Sequence, residues 1–116
     1  FSVNSIFIEQ SLQSFRSGFS SAKTLSTLSR FNGMVCWACF EIFQIEPKMI
    51  AASTARKQAG VIIKRGDNAK EKVLNFVIDT VPGFMVEYTR HGNPKPEMFD
   101  RSDSYVIAKA GHKIEQ

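Results

Sequence analysis

The chain has 116 residues, 43% of them hydrophobic and 22% charged, proportions that suit one soluble globular domain and exclude a disordered or fibrous chain. Fifteen Lys and Arg against eleven Asp and Glu leave a net charge of +4 and a pI near 9.3, which favours a polyanionic partner. No apolar run approaches the ~20 residues of a membrane span, since Met34 to Phe43 is interrupted by Glu41, and the start carries neither a basic leader nor a cleavage-type small-residue pattern.

Taken in chain order, Val3 to Glu9 reads as a buried strand with β-branched and aromatic members. The chain opens on Phe1 rather than Met, which points to a processed product or a truncated reading frame. Gln10 to Ser21 is a polar loop with the apolar exceptions Leu12, Phe15 and Phe19, and Ser20 or Ser21 can cap the next helix. Ala22, Leu25, Leu28, Asn32, Val35, Cys36, Cys39, Phe40 and Phe43 then recur at three and four residues, predicting an amphipathic helix of about six turns that stops before Pro47. Met34, Trp37 and Ala38 form a second apolar flank, either a partner surface or an unusually wide core face.

Lys48 to Ser53 reads as a second strand, and Val61 to Lys64 as strand or loop. Gly66-Asp67-Asn68 is a turn and helix start, Ala69 to Thr80 a helix with Val73, Phe76 and Val77 inward, and Pro82-Gly83 its end. Phe84 to Tyr88 alternates as a short strand, Arg90 to Pro96 is a rigid loop, and Glu97 to Ala110 is the last helix, with Gly111 as its stop. The order strand, helix, strand, helix, helix predicts an α/β fold.

Charge is unevenly spread. Seven of the fifteen Lys and Arg lie between Lys48 and Lys72, opposed there by Asp67 and Glu71 alone. Such a run suits phosphate contacts; a solvated basic face is the plainer alternative. Cys36 and Cys39 fall deep within a helical stripe and lack histidines at zinc spacing, so two small core residues are expected rather than a redox or metal pair.

The acidic residues carry the chemistry. Glu9 ends an apolar strand, where open α/β sheets gather reactive groups. Asp100 and Asp103, three apart on the last helix, share one face, and Asp103 precedes Ile107 by one turn, so its carboxylate follows the core-facing row. An unpaired carboxylate there costs several kcal/mol in effective desolvation, which a metal or a basic partner removes. Three converging carboxylates would hold Mg²⁺ or Mn²⁺. Taken singly, Asp100 could be an N-cap, Asp103 an ion-pair partner and Glu9 a solvated strand end.

The ordered set of features resembles the RuvC family of Holliday-junction resolvases, within the RNase H-like nuclease superfamily. Ile8-Glu9-Gln10 resembles its catalytic-strand motif, and Leu25 to Gly33, reading LSTLSRFNG, the start of its long central helix. Ile50 to Gly60 and Asn68-Ala69-Lys70-Glu71-Lys72-Val73 resemble its next strand, basic stretch and following helix. Asp100-Arg101-Ser102-Asp103-Ser104-Tyr105-Val106-Ile107-Ala108 resembles its final helix, with Ser104 where alanine is usual.

The resemblance implies one RNase H-like domain over 1–116, incomplete at its N-terminus, and metal-dependent cleavage of branched DNA such as a four-way junction. Glu9, Asp100 and Asp103 match three of four acidic ligands for Mg²⁺ or Mn²⁺, and Lys70 matches a catalytic lysine. The fourth ligand, an aspartate on the family's first strand, has no counterpart here, so the chain is expected to be a poor enzyme. The resemblance further implies Phe15 as the aromatic that wedges into the junction, Arg56, Lys57, Lys64, Arg65 and Lys70 on the DNA backbone, a homodimer, and the cytoplasm of a bacterial or phage-infected cell. A non-catalytic DNA-binding or dimerisation module on the same fold is the alternative.

Overall fold

The computed structural model describes residues 2–10 and 22–116. The chain is mixed α/β and mostly helical, with a small parallel sheet of two strands. It divides into two compact units, Phe1–Ala52 and Ser53–Gln116. Among the described residues no helix is long and apolar enough to cross a membrane.

In the first unit, β1 (Phe7–Glu9) pairs in parallel with β2 (Lys48–Ile50), in the register Phe7 to Lys48, Ile8 to Met49 and Glu9 to Ile50. The ladder is extended at its two ends, where Lys48 N–H donates to the Ile6 carbonyl at 2.9 Å and Gln10 N–H to the Ile50 carbonyl at 2.8 Å. Parallel strands need a long crossover, and here it contains α1 (Ala22–Phe43). Asn32 of α1 donates its side-chain N–H to the Glu9 carbonyl at 3.2 Å, tying the helix to the end of β1. The helix ends at Gln44, whose φ of 57° is left-handed; its backbone N–H bonds the Phe40 carbonyl and its side-chain amide bonds the Glu41 carbonyl. Those two donors satisfy carbonyls that a helix end leaves open.

Both strands are shorter than the sequence predicts. Val3 to Ser5 stay outside the ladder because the parallel register sets them against residues that precede the start of β2 at Lys48, and β2 itself stops at Ile50. The chain beyond it turns helical: α2 (Ala52–Ala59) reads ASTARKQA, rich in strong helix formers. This helix is absent from the sequence reading, since alanines at Ala55 and Ala59 form its only buried face and leave almost no hydrophobic signal.

The second unit holds the rest of α2, with α3 (Ala69–Thr80) and α4 (Pro96–Glu115) packed on one another. The predicted bounds of α3 agree with the structure. Asn68 is its N-cap, its side-chain oxygen accepting the Glu71 N–H at 3.3 Å. Buried Val73, Leu74 and Val77 form the inner face of α3, and Met98, Ser102, Val106 and Ala110, at successive spacings of four, form that of α4. Ser102 is fully buried, and its hydroxyl donates to the Phe99 carbonyl at 3.0 Å, so burial leaves no orphaned group. Two cations sit over rings, Lys109 over Phe76 at 4.9 Å and Arg101 over Phe84 at 5.5 Å, each binding through the negative face of the ring.

Gly111 does not stop α4. It is buried within the helix, which runs on to Glu115. Phe84 to Tyr88 forms no strand beyond one bridge between Tyr88 and Pro94, because Pro94 and Pro96 lack the N–H a ladder needs. Residues 61–64 form no strand either.

Val73 and Val77 are fully shielded from solvent, and burying such a side chain is worth about 1.5–3 kcal/mol. Val77→Ala should therefore lower unfolding free energy by about 2 kcal/mol. Asn75→Ala, exposed on the same helix, should change it by less than about 0.5 kcal/mol. Urea denaturation of the two variants checks this pair of values.

Candidate functional site

Four of the residues singled out in the sequence belong to one electrostatic centre in the second unit. Asp103, on α4, is half-buried, in the same helical row as the buried Ile107 and Gly111. Burial pushes its carboxyl above the ordinary aspartate value; Arg56 of α2 and Lys70 of α3 pull it down, and Asp100, one turn earlier on α4, pushes it up. Burial outweighs the two cations. Side chains from three helices thus act on the charge of Asp103, an arrangement found at reactive centres and in structural ion-pair networks alike.

Local sequence explains each placement. Asp100 and Asp103 lie in the helix body, because α4 starts at Pro96 with Lys95 as its N-cap. Asp100 is therefore not a capping residue. Lys70 is the second residue of α3, held at the helix start that Asn68 caps. Arg56 is half-buried on α2, while Lys57, Lys64 and Arg65 are exposed. The turn bearing Lys64 and Arg65 is closed by Asp67, whose carboxylate accepts the Lys64 N–H at 2.8 Å and lies 4.0 Å from the Lys72 ammonium. Gly66 supplies the positive φ of 91° that this turn requires.

A cavity of about 630 Å³ opens beside this centre. Its origin is the end of α2, where Gly60 adopts φ 94°, Gly60 N–H bonds the Lys57 carbonyl and Val61 N–H bonds the Arg56 carbonyl at 2.9 Å. That pair of bonds is a Schellman turn, which needs a residue in the left-handed region at the position of Gly60. It turns the chain out of the helix, and Val61, Ile62 and Ile63 line the cavity together with Ser53, Arg56 and Lys57. Arg56 belongs to both features. In the sequence Val61 to Lys64 reads as a strand or loop rather than as the lining of a site.

The remaining predicted residues lie elsewhere. Glu9 is the exposed last residue of β1 in the first unit, its carbonyl bonded by Asn32. Phe15, with Leu12 and Phe19, falls outside the described residues. Cys36 and Cys39 are free and half-buried rather than in the core, with Cys36 Sγ 4.0 Å from Met49 Sδ.

Compared with protein-family models, curated proteins and solved structures, the chain has no match.

Among the described residues no group of three or more His, Cys, Asp or Glu side chains is drawn together so as to hold a metal ion. Asp100 and Asp103 are nonetheless a donor pair that suits Mg²⁺, which is commonly bound through one or two carboxylates, its own waters and substrate phosphates. The half-buried position of Asp103, one turn from Asp100 on the same helix, is behind that fit: a negative charge is costly there, and a cation would relieve it.

The raised pKa of Asp103 sets a stability signature. A carboxyl whose pKa is raised in the folded state binds its proton more tightly there than in the unfolded chain. Its effect is absent below the ordinary aspartate value and grows as pH rises through the raised one, so stability falls across that window. Asp103→Asn should remove this fall. At pH 7 the variant should melt no lower than the parent, and the two curves should converge at the acidic end, as thermal unfolding at stepped pH would record.

Proposed function

We propose that this chain acts in metal-dependent cleavage of branched DNA, as a resolvase of the RuvC type on an RNase H-like fold. The observation that carries the reading is the half-buried Asp103, kept at a raised pKa beside Asp100 and faced by Arg56 and Lys70 from two further helices. A solvated basic face has no use for a carboxylate placed at such cost, and an ordinary ion pair would lower the pKa rather than leave it raised.

In this reading the carboxylates of Asp100 and Asp103, one turn apart on α4, hold the divalent ion. Bound Mg²⁺ or Mn²⁺ supplies an activated water and neutralises charge at the scissile phosphate. Lys70 places positive charge where the phosphate gains it. Arg56, Lys57, Lys64 and Arg65 hold the DNA backbone in register without reading its sequence.

Calorimetric titration with Mn²⁺ tests the ligand set. The parent should bind the ion, and Asp103→Asn should bind at least about tenfold more weakly. Cleavage of four-way, flap and duplex DNA should follow the same order among variants, stop on addition of a chelator, and favour the branched substrates. Equal, weak heats for parent and Asp103→Asn would instead support a non-catalytic DNA-binding or dimerisation module.

One observation favours the dimerisation element in either case. None of the 22 residues of α1 is buried, and Met34 and Trp37 are 70% and 67% exposed. Arg30, Met34, Trp37 and Glu41 follow spacings of four, three and four, the seam of a paired helix. In an antiparallel pair about a two-fold axis, Met34 meets Trp37 of the second copy and Arg30 meets Glu41, so apolar and charged contacts are both self-complementary. We infer a homodimer through this seam. Sedimentation should give a dimer for the parent and a monomer for Trp37→Glu.

A further inference from the structure

We propose that the cavity between α2 and residues 61–63 seats a single unpaired nucleotide of a DNA strand, with its phosphate on Arg56 and Lys57 and its base against Ile62 and Ile63. The inference rests on the nucleic-acid reading and adds the substrate feature that this site selects.

The lining combines two chemistries. Ser53, Arg56 and Lys57 offer a hydroxyl and two cations, and no acidic residue lines the space. The same lining includes three branched aliphatic residues, of which Ile62 is 75% exposed. Fully paired DNA can satisfy the first set only, because its outer surface is phosphate and sugar and the faces of its bases are covered by stacking. An unpaired nucleotide joins an anionic phosphate to a bare base face, and so matches both sets at once. The volume of about 630 Å³ falls within the range of small-ligand sites.

Charge beyond the cavity favours a strand over a smaller amphiphile. Lys64 and Arg65 follow the apolar wall directly in sequence, on the turn closed by Asp67, and Lys70 shares the centre around Asp103 with Arg56. A fatty acid, with one carboxylate, would need only the two cations of the wall. A polyanion uses the whole run.

The test is fluorescence binding with two otherwise identical duplexes, one fully paired and one carrying a single bulged 2-aminopurine. The parent should bind the bulged duplex about tenfold more tightly, as one newly buried aliphatic side chain predicts. Ile62→Ser should abolish that preference while leaving affinity for the paired duplex unchanged, and Ile62→Leu should retain it. Because Ile62 is exposed, both variants should keep the parent's circular dichroism and melting temperature. Arg56→Gln combined with Lys57→Gln should weaken both duplexes.

Equal affinity of the parent for the two duplexes, still falling steeply with salt, would overturn the seat and leave the nucleic-acid reading standing. Failure to bind either duplex at low salt would overturn both. Decanoate binding that depends on Ile62, without any preference for the bulge, would assign the cavity to a lipid-like anion and overturn the proposal.

Discussion

The packing of α3 on α4 is the constraint from which the second unit follows. Val73, Leu74 and Val77 can be buried only against a surface that admits close approach, and α4 provides one by placing Ser102 and Ala110 among its larger inner residues. This closeness has an electrostatic cost. Asp103 lies in the row next to that face, so the burial that stabilises Ile107 also strips water from the carboxylate one turn earlier. A fold optimised for stability alone would carry an apolar or neutral residue there. The charged residue remains because the helix that packs best also carries the acid, with Arg56 and Lys70 brought in to offset part of the penalty.

Much of this was legible in the sequence, and the exceptions have physical causes. The bounds of α3 were readable because a turn with Gly66 and Asn68, an apolar row and a terminating Pro82-Gly83 all agree. The long α1 was readable from its repeat, although that repeat overstated burial: its inner positions, such as Leu25, Val35 and Cys36, are only half-buried. Periodicity reports which side chains share a face, not whether anything covers it. Conversely α2 was missed because its buried positions are alanines, and helix propensity in ASTARKQA was the signal that could have found it. Gly111 misled for a related reason. Glycine ends helices where a left-handed residue is needed, whereas here the absent side chain serves burial within the helix.

The candidate site divides along the same line. The sequence pattern placed Asp100 and Asp103 on one face and Asp103 along the core row, and the structure agrees, since helical spacing alone decides both. That Arg56 would join them depended on α2 and so could not be read. The apolar wall of the cavity depended on the Schellman turn at Gly60, a feature of backbone geometry that leaves only a glycine in the sequence. Short strands were over-read in the opposite sense: residues 3–5 and 61–64 join no strand among the described residues, and composition cannot provide a partner.

The turn at Lys64–Asp67 has one more consequence. By accepting a backbone N–H and standing near Lys72, Asp67 spends its negative charge on its own chain. An approaching polyanion meets little of that repulsion, and Lys72 is the cation most nearly cancelled by it. The positive charge of this stretch that an approaching polyanion meets is therefore carried mainly by Arg56, Lys57, Lys64, Arg65 and Lys70. A single acid, folded inward, sharpens the outline of the basic surface it interrupts.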